Sequence, residues 1–103
     1  MNFGYTNGWK LGELKTALAL SDSATLGVEQ KKPFIAVSCS AASKALTLGL
    51  KDGDMALIYN TGATNAITIK NLATDTGTSL AAGKVAIVVA SETANATVVT
   101  ALN

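Results

Sequence analysis

Apolar positions recur at every second residue over most of this chain, in short bursts separated by turn chemistry. From Ala45 to Leu50 the alternation is strict, with Leu46, Leu48 and Leu50 on one side and Ala45, Thr47 and Gly49 on the other, which is the period of a half-buried strand. Phe34–Ser38, Met55–Tyr59, Ala66–Lys70, Val85–Val89 and Thr97–Leu102 read the same way. Between them lie Lys51-Asp52-Gly53-Asp54, the loop Asn60–Asn65, Asp75-Thr76-Gly77, Ala82-Gly83 and Ser91–Asn95, all rich in residues that favour turns. About six short strands at this spacing predict an all-β domain.

A helical period occurs only near the start. Leu11, Leu14 and Leu18 fall at i, i+3 and i+7 among good helix formers, which predicts a short helix within Lys10–Leu20. Leu20–Lys32 has mixed polarity, with Gly27 inside it and Pro33 after it, and reads as a loop with one strand-like turn around Leu26–Val28. Residues 1–10 combine Gly4, Asn7 and Gly8 with Phe3, Tyr5 and Trp9. Large aromatics are unfavourable on a free terminus, so this arm is expected to be ordered by packing on its own domain, a sister subunit or a foreign partner. The chain therefore divides into residues 1–32 (arm, helix and loop) and residues 33–103 (the β-body).

The β-body contains a duplication. LKDGDMALIYNTGATNAITI (Leu50–Ile69) lies over LAAGKVAIVVASETANATVV (Leu80–Val99) without a gap, thirty residues on. Leu50/Leu80, Gly53/Gly83, Ala56/Ala86, Asn65/Asn95 and Ala66/Ala96 are identical, and the expectation is one β-hairpin used twice. Both faces of its strands are apolar or small: Met55, Leu57 and Tyr59 alternate with Ala56 and Ile58, and Val85, Ile87 and Val89 with Ala86 and Val88. A single sheet would leave one of those faces bare. Two sheets packed as a small β-sandwich or jelly-roll-like body, or a sheet covered by neighbouring subunits, accounts for the pattern. Met55, Leu57, Val85, Ile87 and Val89 are the candidate oligomer interface.

Composition strengthens the case for assembly and weakens that for chemistry. A chain of 103 residues makes one domain, and its core must be built from Ala, Val, Leu and Ile, since there are only five aromatics. Small domains have a poor surface-to-volume ratio, so such a chain gains unusually from burying another face against a copy of itself. Eight lysines balance seven acids for a net charge of +1, with no arginine and no histidine. Nucleic-acid partners are therefore not expected, because phosphate and base recognition draw on the guanidinium fork and on a basic stripe. Lys31-Lys32 reads as a solvated pair. Cys39, the only cysteine, reads as a small buried hydrophobe. The N-terminus lacks the pattern of a secretory signal, and no apolar run is long enough to span a membrane.

Several motifs invite chemical readings that their surroundings do not sustain. Gly77 to Lys84 has five residues between its glycines where a phosphate loop has four, and Val85 stands where Ser or Thr would bind magnesium. Asp52-Gly53-Asp54 lacks the further acids of a calcium loop and reads as a turn. Asp75-Thr76-Gly77 matches an aspartic-protease triplet without its supporting signature. Asn95-Ala96-Thr97 is a glycosylation acceptor only in a secreted eukaryotic protein. No enzyme activity, cofactor or metal is expected.

The stretch from Leu46 to Ser91, within it NTGATNAITIKNLATDTGTSLAAGKVAIVVAS, resembles the small Thr/Ala/Gly-rich β-domains of tailed-phage virion proteins, in particular head-fibre and capsid-decoration proteins. The resemblance lies in short strands joined by N-x-G and D-T-G turns and covers a little under half the chain. It implies a homotrimer on the outside of a capsid, assembled in the host cytoplasm, with an N-terminal segment touching the major capsid protein or another virion protein. The length suits a decoration or fibre-base role. The anchor is then expected in Phe3, Tyr5, Trp9, Leu11, Leu14 and Leu18. The alternatives are a carbohydrate-binding or adhesin-type module using Tyr59, and a tail or baseplate component.

Overall fold

The computed structural model describes residues 14–93, 95 and 97–99. It contains nine strands among these residues: β1 (Lys15–Leu20), β2 (Ala24–Thr25), β3 (Phe34–Cys39), β4 (Lys44–Thr47), β5 (Met55–Asn60), β6 (Ile67–Lys70), β7 (Thr78–Leu80), β8 (Val85–Val89) and β9 (Thr97–Val99). They form a five-stranded sheet in the order β1-β3-β5-β8-β9 and a four-stranded sheet in the order β2-β4-β6-β7. The two pack as an all-β sandwich.

From β1 to β6 the chain changes sheet at every step. Consequently β1, β3 and β5 lie parallel in one sheet, and β2, β4 and β6 lie parallel in the other. Parallel neighbours need a crossover connection, and here each crossover is itself a strand of the opposite sheet. The result is three stacked turns of chain. After β6 the direction reverses: β7 pairs antiparallel with β6, β8 with β5 and β9 with β8. A jelly roll is built from antiparallel pairs, so this topology departs from the jelly-roll-like body expected.

The core lies between the sheets. Ile35, Val37, Leu46, Leu48, Ile58, Ile67, Ile69, Leu80 and Val88 are fully enclosed there. The three leucines of the Ala45–Leu50 alternation all point inward, although β4 ends at Thr47. Cys39 is a buried core residue, as the sequence suggested.

Three expectations are corrected. The helix within Lys10–Leu20 is, over its described part, the strand β1, paired parallel with β3 from Lys15–Phe34 to Leu20–Cys39. KTALAL alternates as well as it follows a helical period, and pairing that packs Leu18 and Leu20 on the core outweighs the helix propensity of Ala, Leu and Lys. Likewise the loop Leu20–Lys32 contributes β2 and a 3₁₀ turn at Val28–Gln30. Residues before Pro33 thus supply strands to both sheets.

The third correction concerns the duplication. β8 and β9 form the expected antiparallel pair, but β5 and β6, the first proposed hairpin, lie in different sheets. The two repeats meet through β5 and β8 instead. Leu57 stands opposite Ile87, its equivalent thirty residues on. The turns follow the same local twofold: the Gly53 N–H donates to the Ala90 carbonyl (3.0 Å) and the Gly83 N–H to that of Asn60 (2.8 Å), while the Ala90 N–H donates to Asp54 (2.8 Å) and the Asn60 N–H to Lys84 (3.0 Å). Gly53 and Gly83 both sit in the left-handed region, at φ +82° and +77°. Turn chemistry and alternation alone do not distinguish a hairpin from a strand that crosses to the opposite sheet.

Candidate functional site: the outer faces of the sandwich

The outer faces of the two sheets differ in character. Every second residue of β5 is buried, so Met55, Leu57 and Tyr59 project outward from the five-stranded sheet, with exposures of 60%, 38% and 36%. On the neighbouring strand Ala86 and Val88 are buried, which turns Val85, Ile87 and Val89 outward; Val89 is 37% exposed. The register sets Met55 opposite Val89, Leu57 between Phe34 and Ile87, and Tyr59 between Ala36 and Val85. The five candidate interface residues therefore share one surface, joined by Tyr59 and the half-buried Phe34. At its margin the Lys15 ammonium lies 5.8 Å from the centre of the Phe34 ring, and Ala17 and Ala19 of β1 complete the edge.

On the four-stranded sheet the inward positions are Leu46, Ile67, Ile69 and Leu80, which leaves Ala45, Thr47, Thr68, Lys70 and Ser79 on the outside. That face is polar. Lys70 donates to the Ala73 carbonyl at 3.3 Å, and at its margin Lys44 pairs with Asp22 at 3.0 Å. The Lys44 ammonium, with a backbone bond from Ser23, holds the Asp22 carboxyl below its ordinary range.

Two buried asparagines hold the ends of the strands behind the apolar face. Asn60 closes β5 at an inward position, where its side-chain amide donates to the carbonyls of Asn65 (2.9 Å) and Leu80 (3.0 Å) and its oxygen accepts the Gly62 N–H (3.0 Å). Asn71 does the same beyond β6. Its amide donates to Leu50 (3.1 Å) and Ser91 (2.9 Å), and its oxygen accepts the Leu50 N–H at 2.7 Å. Both are fully enclosed. Sequence reasoning missed them, although a signal exists: each occupies the next inward place in a run of period two, after Ala56 and Ile58 or after Ile67 and Ile69.

The chemically suggestive acids are engaged by backbone. The Asp75 carboxylate accepts the N–H groups of Asn71 (3.0 Å) and Leu72 (3.1 Å), closing the turn that leads into β7. Asp52 and Glu92 each accept the other's backbone N–H, which ties the turn before β5 to the segment after β8. Among the described residues no group of three or more His, Cys, Asp or Glu side chains could hold a metal ion.

Of the expected anchor residues, Phe3, Tyr5, Trp9 and Leu11 lie outside the described residues. Leu14 is 45% exposed just before β1, and Leu18 is partly buried and packs against the core. Tyr59, the residue a carbohydrate module would use, has Ala36 and Val85 as its cross-strand neighbours. A sugar site needs polar groups around its aromatic platform, and these neighbours supply none. No helix among the described residues is long and apolar enough to cross a membrane. No protein-family model, curated protein or solved structure matches the chain, so the reading of its function rests on these surfaces.

Proposed function

We propose that this chain is a non-enzymatic structural protein of a tailed-phage virion, which decorates the capsid exterior or forms a fibre base there as a homotrimer. The supporting observation is the contrast between the outer faces: one apolar and exposed, the other polar. A sandwich working alone in water gains nothing from an uncovered row of Met55, Leu57, Tyr59 and Val89, and exposed apolar patches of this kind mark interaction surfaces. The resemblance in Leu46–Ser91 supplies the virion context. Weak contacts suffice in that setting, because a shell repeats them many times.

The test is the solution mass over a hundredfold dilution range, followed by co-sedimentation with the capsids of the phage that encodes the chain. Three copies per particle in solution, and saturable binding to capsids, are the expected results. A monomer at every concentration that leaves capsids bare would remove the proposal. Residues 1–10, with Phe3, Tyr5 and Trp9, are assigned to the shell contact. Deleting them is expected to lower capsid occupancy at least tenfold while the far-UV circular dichroism of the β-body stays unchanged, and undiminished occupancy would show that the anchor lies elsewhere.

A further inference from the structure

We infer that the polar cleft where the turn after β6 meets the segment after β8 binds one sugar ring of a surface glycan. The inference goes beyond the structural role above and does not depend on it. The cleft holds about 170 Å³, space for about six waters or one pyranose, and is lined by Lys70, Asp75, Thr76, Gly77, Thr78 and Asn95. Two links build it. Asp75 is only 7% exposed, and its Oδ2 accepts the N–H groups of Asn71 (3.0 Å) and Leu72 (3.1 Å), which fixes the carboxylate in place. The Thr76 N–H donates to Asn95 Oδ1 at 3.0 Å, which joins the turn to the segment that precedes β9. These links leave groups over. Asp75 Oδ1, the Asn95 amide nitrogen and the hydroxyls of Thr76 and Thr78 make no hydrogen bond among the described residues, and Lys70 commits one of its three ammonium hydrogens to the Ala73 carbonyl at 3.3 Å. Neither Asp75 nor Thr78 has an unpartnered polar atom sealed from solvent, so their open groups are accessible.

This set of groups selects a neutral ligand rich in hydroxyls. One carboxylate and one ammonium leave no net charge to attract an ion, whereas a sugar hydroxyl both donates and accepts and so suits every group present. Adjacent ring hydroxyls would donate to Asp75 Oδ1 and accept from Lys70 and Asn95. Because backbone bonds already hold the acid, binding does not first have to order it, which lowers the cost of association. The cleft has the polar groups that Tyr59 lacks and no aromatic platform. It therefore grips a ring by its hydroxyl edge, and weakly. Lys70 also borders a wider hollow of about 270 Å³ together with Ser23, Thr25 and Thr47. The next sugar of a chain would lie there, which favours a glycan over an isolated small molecule.

The experiment is an amide-resolved NMR titration of the full chain with the methyl pyranosides of glucose, galactose, mannose, rhamnose and N-acetylglucosamine. Glycine is the contrast probe, because Lys70 and Asp75 would also suit the two ends of a zwitterion. At least one pyranoside is expected to shift the Thr76, Gly77 and Thr78 amides saturably, with the millimolar dissociation constant that about a dozen non-hydrogen atoms support. Asp75→Asn keeps an oxygen for the Asn71 and Leu72 N–H groups and puts a donor where the open acceptor was, so it is expected to weaken binding about tenfold. Lys70→Met keeps the aliphatic stem and is expected to cost about threefold, since the ammonium is partly solvated. Tyr59→Ala is expected to change nothing. Should Asp75→Asn fail to fold, Lys70→Met and Asn95→Ala carry the test. The assignment is overturned by the absence of saturable shifts with every pyranoside, by shifts with glycine alone, by undiminished binding in the cleft variants, or by loss of binding in Tyr59→Ala.

Discussion

Asn71→Ala is expected to lower the unfolding free energy by about 4 kcal/mol, a large share of what a domain of this size possesses. The side chain is fully enclosed and bonds both backbone groups of Leu50 and the carbonyl of Ser91. Alanine removes all three partners at once. A buried backbone group deprived of its partner costs about 1–3 kcal/mol, and both Asn71 bonds to Leu50 are buried. Asn60→Ala is expected to cost less, because its bonds to Asn65 and Gly62 lie in a partly exposed loop where water can replace them. Urea unfolding of the two variants gives the comparison, and equal losses would count against solvent access as the deciding factor.

Asn71→Asp separates hydrogen bonding from shape. The variant keeps the acceptor for the Leu50 N–H but turns an oxygen toward two carbonyls that now face a donor. Burial and those carbonyls disfavour the carboxylate, so its folded pKa lies above the unfolded value of about 3.9. The sign follows directly. Below about pH 4 the acid is protonated in both states and the variant loses least, and the loss grows as pH rises through the folded value. A urea midpoint for Asn71→Asp no lower at pH 7 than at pH 4, relative to wild type, would contradict this.

Gly77→Ala is the second large effect, expected at about 3 kcal/mol or more. Gly77 has φ +83°, and a Cβ there would come within 2.5 Å of Thr68 Cγ2 and 3.2 Å of the Ile69 carbonyl oxygen. The left-handed conformation alone costs about 1–2 kcal/mol for an L-residue, and forcing β6 and β7 apart adds a term of similar size. Gly53 and Gly83 provide the control. They share the positive φ, at +82° and +77°, but a Cβ on either meets nothing within 4 Å. Alanine at these two is expected to cost only the conformational term, about 1 kcal/mol. Thermal unfolding of the three variants decides the matter: if Gly77→Ala melts with the other two, the close approach of Thr68 is not what constrains this turn.

The inward and outward residues of β3, β5 and β8 were legible in the sequence because a period of two assigns side chains to faces whatever the strand pairs with. Met55, Leu57, Val85, Ile87 and Val89 could thus be grouped before the fold was known. The role of Asn60 and Asn71 was not drawn from the sequence, since asparagine at a strand end has the same composition signal as any turn residue. Only its inward register distinguishes it. Lys15–Leu20 misled for a related reason. The helical spacing of Leu11, Leu14 and Leu18 runs into the alternating KTALAL, and the choice between them was made by β3, which offers β1 a parallel neighbour over six residues.

By itself the sequence determined the all-β class, the aliphatic core, the turns at Gly53 and Gly83 and the membership of the apolar face. These follow from local periodicity and backbone freedom, which act over a few residues. Tertiary structure alone decided that β5 and β6 part into different sheets, that the two repeats pair with each other through Leu57 and Ile87, and that β1 is a strand. Each of those outcomes depends on which distant segment completes a strand's hydrogen bonds and covers its apolar side. That competition is settled by long-range pairing and burial, which are not encoded in any single stretch of the chain.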